Sequence, residues 1–308
     1  MSEVTSDAAP LTAVAPGAGT GAAPAGRARR RSDFLHYALR NPKLIFGLSL
    51  ELLFVLAAII GPMISPHDPN TIYATHLAPS HAYWLGTDQL GHDVFAQLVN
   101  GLRTSYLVGA LGAICAAIVG MILGFLAGWR GGLLDEVLQL VTNIIIMIPA
   151  LVLLIVIGAY LKTRGLLFEG VFIGLTTWPW VARAVRAQTF TLKSRDFVDL
   201  ARLSGRRSVR IVIEEIAPNM ASYLFLVVVL LFGSSMLLAA SYDFLGLGPT
   251  DVVSLGTMMD TANNWSALLL HAWWSFIPPG VALTAVVGAL LIANVGLDEV
   301  FNPKLREQ

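Results

Sequence analysis

The sequence predicts an all-α membrane protein with six transmembrane helices and both termini on the same side of the bilayer. Three observations predict it. First, the 308 residues are 56% hydrophobic and only 13% charged, whereas soluble domains carry about 25% charged residues. Second, six stretches approach the roughly 20 apolar residues that a helix needs to cross the hydrocarbon core. Third, Lys and Arg fall almost wholly on one set of connections, seventeen against three. The positive-inside rule places that set, and both termini, in the cytoplasm. Net charge is zero, so composition gives no basis for a nucleic-acid partner.

Residues 1–33 are rich in Ala, Pro and Gly and include Arg27, Arg29, Arg30 and Arg31. Such composition cannot bury a core, and this stretch reads as a disordered, basic cytoplasmic tail. The next apolar run is too long for a signal-peptide core, and no small-residue cleavage site follows it. Residues 34–103 hold span one, Leu44–Ile64, and an outer loop. Glu51 is the only charge in that span. An intramembrane carboxylate usually faces a bundle interior or a cavity. Glu51 is therefore a candidate for a translocation path, and equally for a hydrogen bond to a neighbouring helix.

Residues 104–303 form the core, followed by a 304–308 tail. Span two, Thr104–Gly128, carries Gly109, Gly112, Gly120, Gly124 and Gly128, small residues that let helices approach closely in lipid. Its Cys115 is the only cysteine and reads as a small packing residue. Span three, Val137–Tyr160, contains Pro149, a candidate break. Span four, Leu166–Ala182, is the shortest, with Trp178 and Trp180 suited to a membrane interface. Spans five and six are Ala221–Ala240 and Trp273–Val295. The outer segments are 65–103, 161–165 and 241–272, and the long cytoplasmic loop is 183–219.

Several chemistries are missing. None of Lys43, Lys162, Lys193 and Lys304 ends a Gly-Lys-Ser/Thr phosphate loop, and zinc-hydrolase and nucleophile-elbow motifs are missing. No catalytic residue is expected. His67, His76 and His81 share one outer segment, but their spacing fits no compact ligand pattern, so no metal site is expected.

The 183–219 loop is too charged to cross a bilayer. Within it Phe197, Leu200, Ala201 and Ser204 fall at i, i+3, i+4 and i+7, one helical face. Ser194 or Asp196 can cap the start, and Gly205 can end the helix in the left-handed conformation. Arg202, Arg206, Arg207 and Arg210 surround the face. This pattern suits insertion into a groove of a soluble partner, or attachment to anionic lipid.

Asp199-Leu200-Ala201, then Gly205 and the closing Pro218-Asn219, resemble the cytoplasmic "EAA" loop of ABC-importer permeases, with Asp and Leu departing from Glu-Ala. Leu85-Gly86-Thr87-Asp88-Gln89-Leu90-Gly91-His92-Asp93 resembles the outer-loop signature of the dipeptide/oligopeptide/nickel permease family, with His92 in place of Arg. Phe244–Gly248 and Ser254–Gly256 resemble that family's segment after span five, and the likeness runs from about Asp33 to Arg306. Two departures stand out. Leu140 and Asn143 replace a charged pair in span three, and the 294–299 run differs from the family's C-terminal pattern.

The resemblance implies the C-type permease subunit of an ATP-driven importer for peptides or related solutes. Phe197, Asp199, Leu200, Ala201, Ser204, Gly205 and Arg206 would couple to an ATPase. Gly86, Thr87, Asp88, Gly91 and Asp93 would form an outer scaffold, and Glu51 and Asn143 are candidates for the path. It implies a second homologous permease subunit, two cytoplasmic ABC ATPases and an external or periplasmic solute-binding protein. ATP and Mg would be bound by the ATPases and no cofactor by this chain. Nickel chelates and oligosaccharides are alternative cargoes. A proton-coupled secondary transporter using Glu51 is the rival reading.

Overall fold

The computed structural model describes residues 37–160 and 165–301. The expected N-terminal tail, most of the 161–165 connection and the 304–308 tail lie outside these. The described residues are helical apart from connecting loops and one isolated bridge. In chain order the helices are α1 (Pro42–Ile64), α2 (Val94–Arg130), α3 (Gly132–Met147), α4 (Ala150–Tyr160), α5 (Leu166–Lys193) and α6 (Asp196–Leu203). Then follow α7 (Ser208–Ile211), a π-helical turn (Val212–Ile216), α8 (Ala217–Asn219), α9 (Ala221–Phe244), α10 (Leu255–Asn264) and α11 (Trp273–Phe301).

Among the described residues four helices are long and apolar enough to cross a membrane: α1, α2, α9 and α11. The α3–α4 pair makes a fifth if counted as one broken span, bent by 82°. Span three is thus two helices rather than one. Pro149 supplies the reason: the residue before a proline is driven out of the helical region, and Ile148 is extended at ψ 123. Span four also differs from expectation. Helix α5 runs on to Lys193 through Arg183 and Arg186, so the first part of the 183–219 loop is helical.

Helix starts follow local chemistry. Asn41 accepts the Leu44 N–H at 2.9 Å and Pro42 opens α1. Asp93 accepts the Phe95 and Ala96 N–H groups at the head of α2. The most extensive contact in the fold is α2 against α5, and the glycine stripe makes it. A Cβ on Gly124 would lie 2.7 Å from the Ala182 carbonyl oxygen, and one on Gly128 2.7 Å from Thr189 Cβ. These glycines pack helices, as their spacing suggested. Cys115 faces Gly174 across the same contact. Helix α1 lies on α11, where Glu299 pairs with Lys43 at 2.5 Å and accepts from Asn41 at 2.7 Å.

Candidate functional site

The 37 residues of α2 span roughly 55 Å at 1.5 Å per residue, and a different candidate site sits at each end. At the N-terminal end, residues 67–93 form a hydrogen-bonded knot. Thr87 is fully buried, Asp88 and Asp93 nearly so. The Thr87 hydroxyl accepts the Leu77 N–H at 2.8 Å and donates to the Ala74 carbonyl at 2.7 Å. Asp88 accepts the Leu90 and His92 N–H groups at 2.9 and 2.8 Å. Asp93, besides capping α2, pairs with His67 Nδ1 at 2.6 Å. Gly86 and Gly91 turn the chain at φ 71 and 91, where only glycine is comfortable. From α11, Trp274 Nε1 donates to the Thr87 carbonyl at 3.0 Å.

All five signature residues therefore meet in one knot. Of the three histidines, His67 stacks on Tyr83 at 4.9 Å besides pairing with Asp93, and His76 lies 5.6 Å from the Trp274 ring.

At the other end, the 194–220 segment folds back onto α2 and α5. Val198, Ala201, Ile211, Ile216 and Met220 are buried and join a cluster with Val185 and the partly buried Phe125 and Trp129. Arg202 lies 5.1 Å over the Trp129 ring and pairs with Asp199 at 3.0 Å. Lys193 sits over the same ring at 5.8 Å and donates to the Trp129 carbonyl. One indole is thus held by two cations, each such contact contributing about 0.5–1 kcal/mol at an exposed site.

Two expectations about α6 are corrected. The face of Phe197, Leu200, Ala201 and Ser204, expected to insert into a partner, is split: Ala201 is buried within the fold and Phe197 partly so, while Leu200 and Ser204 are exposed. The face buried in the fold centres on Val198 and Ala201, and Leu200 is 64% and Leu203 84% exposed. The core lies on that side because α6 must cover the ends of α2 and α5, and Leu200 turns the other way. The start is also different: Arg195 holds the cap position without a side-chain bond, and Ser194 donates instead to the Thr191 carbonyl at 3.1 Å. The expected end is present. Gly205 is left-handed at φ 72, its N–H bonds to Arg202 and that of Arg206 to Ala201, a Schellman motif. The Ser204 hydroxyl turns back on the Leu200 carbonyl at 2.8 Å.

Beyond Gly205 the basic rim is largely neutralised. Arg206 bonds Glu215 at 2.7 Å and Glu214 at 3.3 Å, and Arg210 bonds Glu214 at 2.7 Å. Pro218 has no N–H, so the Glu214 carbonyl loses its usual helical donor and the ladder widens into the π turn. What faces outward is an apolar group: Leu200, Leu203, Val209 and Ile213, each more than 60% exposed.

Glu51 and Asn143 are not brought into one site by any described contact. Glu51 accepts the Tyr106 hydroxyl of α2 at 2.9 Å. Asn143 accepts from Arg183 of α5 at 2.8 Å, one turn from the bidentate Arg186–Asp135 pair at 2.5 and 2.6 Å. Together these last two contacts tie α3 to α5. An apolar cavity of 560 Å³ between α5, α9 and α11 is lined by Trp180, Leu231, Ser234 and Leu290, among others, but by neither candidate path residue.

Sequence reading missed two acids. Glu169 in the first turn of α5 and Asp243 at the end of α9 are both buried. The available signal was an acid at each end of an apolar window, though nothing in the sequence shows them buried. Ser254, which caps α10 and forms a capping box with Thr257, donates to Asp243. Asp260 on α10 has its carboxyl pushed up by burial, opposed by a hydrogen bond from Asn264.

The fold and its two ends define a class: an all-helical membrane protein with several apolar spans and a folded, apolar-faced segment between two of its helices. Comparison with known proteins gives the family. Residues 120–307 match the binding-protein-dependent transport system inner membrane component, and residues 30–79 match the N-terminal transmembrane domain of oligopeptide transport permease C. The chain belongs to the family of binding-protein-dependent transport system inner membrane components. It is 33% identical to a Brucella abortus protein named "Putative peptide transport system permease protein", over 87% of this chain and 90% of the relative. It is 30% identical to the oligopeptide transport system permease protein OppC of Bacillus subtilis, over 87% of each. It is thus a transport permease component and a multi-pass membrane protein.

Proposed function

We propose that this chain is one of two permease subunits of an ATP-driven ABC importer that carries di- and oligopeptides. Six spans, with α3–α4 counted once and α5 included, would leave both termini on one side of the membrane, and the distribution of Lys and Arg supports the cytoplasmic side. The names of the two relatives support peptide as cargo. The observation that carries the coupling role is the exposed Leu200, Leu203, Val209 and Ile213 on a segment whose opposite side is buried against α2 and α5. Water-facing leucines on a rigid helix suit a groove in a soluble partner.

In this reading a cytoplasmic ATPase, holding ATP and Mg, seats that apolar group. Closure of the two ATPases pushes α6, and α6 moves α2 through Arg202 and Trp129. A solute-binding protein docks at the end of the molecule formed by the 67–93 knot and the 241–272 segment. The Tyr106 bond to Glu51 supports a helix-to-helix clasp at that carboxylate rather than a proton path.

The test is uptake of labelled di- and oligopeptides by the native host with this chain deleted and then restored. Restoration by the wild type, but not by a correctly inserted Leu200→Asp/Leu203→Asp variant that no longer retains ATPase subunits, is the expected result. Peptide uptake that survives the deletion would overturn the cargo. Accumulation by the purified chain alone in liposomes, following a pH gradient, would overturn the ATP-driven mechanism in favour of proton coupling.

A further inference from the structure

The turn between α10 and α11 carries its largest apolar side chains on the outside. Leu268, Leu269 and Leu270 are 61%, 81% and 51% exposed, and Trp265 and Trp273, which bracket them, are half exposed. The transport reading above assigns none of these side chains a role. The turn is nonetheless built tightly. Ser266 and His271 both adopt left-handed backbone, at φ 55 and 57, where a residue with a side chain is uncommon. Each is followed by a fully buried alanine, and the Ala267 and Ala272 N–H groups bond the Ala262 and Ala267 carbonyls, both at 2.8 Å. Two helix-ending closures in succession thus wind Leu268, Leu269 and Leu270 into a single turn. Strained backbone of this kind persists only where its surroundings over-determine it, and it gathers at functional sites.

Three observations indicate what covers it. The first is continuity with a span. The sequence carries no Asp, Glu, Lys or Arg from Thr261 to Leu297, and α11 starts at Trp273. From Asp298 back to Trp273 is roughly 38 Å at 1.5 Å per residue. That exceeds the hydrocarbon core of about 30 Å by a few ångströms, so Trp273 reaches the headgroup level. The second is the backbone. The N–H groups of Trp265, Ser266, Ala267, Leu270, His271 and Ala272 bond carbonyls of α10 or of the turn itself, as backbone beside lipid must. Those of Leu268 and Leu269 have no partner among the described residues, which suits the hydrated headgroup layer and not the hydrocarbon core. The third is the pair of tryptophans, whose apolar ring and polar N–H favour that same layer. A groove in a soluble partner would meet a polar rim, whereas the one titratable side chain from Trp265 to Trp273 is His271.

We propose that residues 265–273 are a lipid-interface anchor: Leu268, Leu269 and Leu270 dip into the edge of the acyl chains, and Trp265 and Trp273 lie among the headgroups, in the leaflet on the side of the 67–93 knot. The anchor fixes more than itself. Ala267 and Ala272 belong to the same buried cluster as Met258 of α10 and Trp274 of α11, and Trp274 donates to the Thr87 carbonyl in the knot. The lipid surface thereby sets the depth of α10 and of the knot. A solute-binding protein is left the knot and the 245–254 stretch to dock on. The anchor requires only that the chain cross a membrane, and it stands whatever the cargo or the energy source.

The experiment uses the full chain, purified from its native host with whatever subunits it retains, in nanodiscs of phosphatidylcholine and phosphatidylglycerol. In a Cys115→Ser background a nitroxide is attached at Leu269→Cys and, for comparison, at His81→Cys on the exposed edge of the knot. Its relaxation is measured with oxygen, which concentrates in lipid, and with a water-soluble nickel chelate. The ratio of oxygen to nickel access is expected to be several-fold higher at 269 than at 81. Where the labelled variants do not insert, discs of bromine-labelled lipid supply the comparison. The Trp265→Phe/Trp273→Phe variant is expected to show a smaller quenched share of tryptophan emission than the wild type. Nickel access at 269 equal to that at 81 would place the turn in water and overturn the proposal. Low access to both reagents would also overturn it and make the turn a contact with another protein. So would a tryptophan variant whose quenched share is unchanged.

Discussion

The two ends of α2 handle polar groups in opposite ways. At the 67–93 knot Thr87, Asp88 and Asp93 are buried and bonded to backbone, to His67 or to His92. In the 194–220 segment the charged groups are at the surface, most of them paired among themselves, and the leucines point outward. A buried hydrogen-bond network specifies one geometry, and loss of any member leaves another unpaired. A surface with paired charges and bare leucines is complete in charge but incomplete in packing. The first is built to hold its shape alone, and the second to be covered.

Two glycines with the same backbone angle put this difference to the test. Gly86 at φ 71 and Gly205 at φ 72 both need the left-handed region. A Cβ at Gly86 would collide with the Leu77 carbonyl, while one at Gly205 meets nothing within 4 Å. Gly86→Ala is therefore expected to cost about 3 kcal/mol or more, summing backbone strain and collision. Gly205→Ala is expected to cost about 1 kcal/mol, strain alone. Thermal unfolding of the purified chain in detergent measures both. Equal losses would mean that the two ends are alike in packing.

Trp129 tests how firmly the incomplete end is attached. Trp129→Ala removes two cation–π contacts and part of the floor under Val198 and Ala201, an expected loss of about 2 kcal/mol. Trp129→Phe keeps a ring face and is expected to restore most of it. Hydrogen exchange at 196–204 is the sharper measurement: faster exchange in the Ala variant, with the 67–93 amides unchanged, would place the effect at one end of α2. Unchanged exchange at α6 would mean that the tryptophan does not hold the segment.

How far the sequence reveals each end follows from the same contrast. Apolar length alone located α1 and α9 to within a few residues and the start of α11, because crossing a bilayer imposes it, while α11 runs six residues past the expected Val295 to Phe301. Pro149 was legible as a break, while the bend angle depends on what α3 and α4 pack against. The knot was legible through its glycines and acids, since tight turns and caps are local chemistry. The orientation of α6 was not. Helical periodicity groups Phe197, Leu200 and Ala201 together, but which neighbour of that stripe is buried depends on the ends of α2 and α5, far away in sequence. Val198 took the core position and released Leu200 and Leu203. The burial of Glu169 and Asp243 was hidden for the same reason, because each acid is unremarkable until its helix is packed.

The smallest expected effect is the most direct check on whether charge in the 194–220 segment stabilises it. Arg206 bridges Glu214 and Glu215, and none of the three side chains is buried. Solvent screens such pairs, and ordering long side chains costs entropy, so an exposed pair contributes about 0–1 kcal/mol. Arg206→Ala is therefore expected to lower stability by less than about 1 kcal/mol, and by less still in high salt, where the Debye length shrinks to about 3 Å at 1 M. Its consequence for docking is larger than for folding. Removing the guanidinium frees Glu215 and leaves Glu214 to Arg210 alone, so a partner groove would have to desolvate or match the added charge. Unfolding in low and high salt, compared with partner retention by the same variant, separates the two effects. A salt-insensitive loss of several kcal/mol would make Arg206 a structural residue like those of the knot, and the contrast between the two ends would fail at that point.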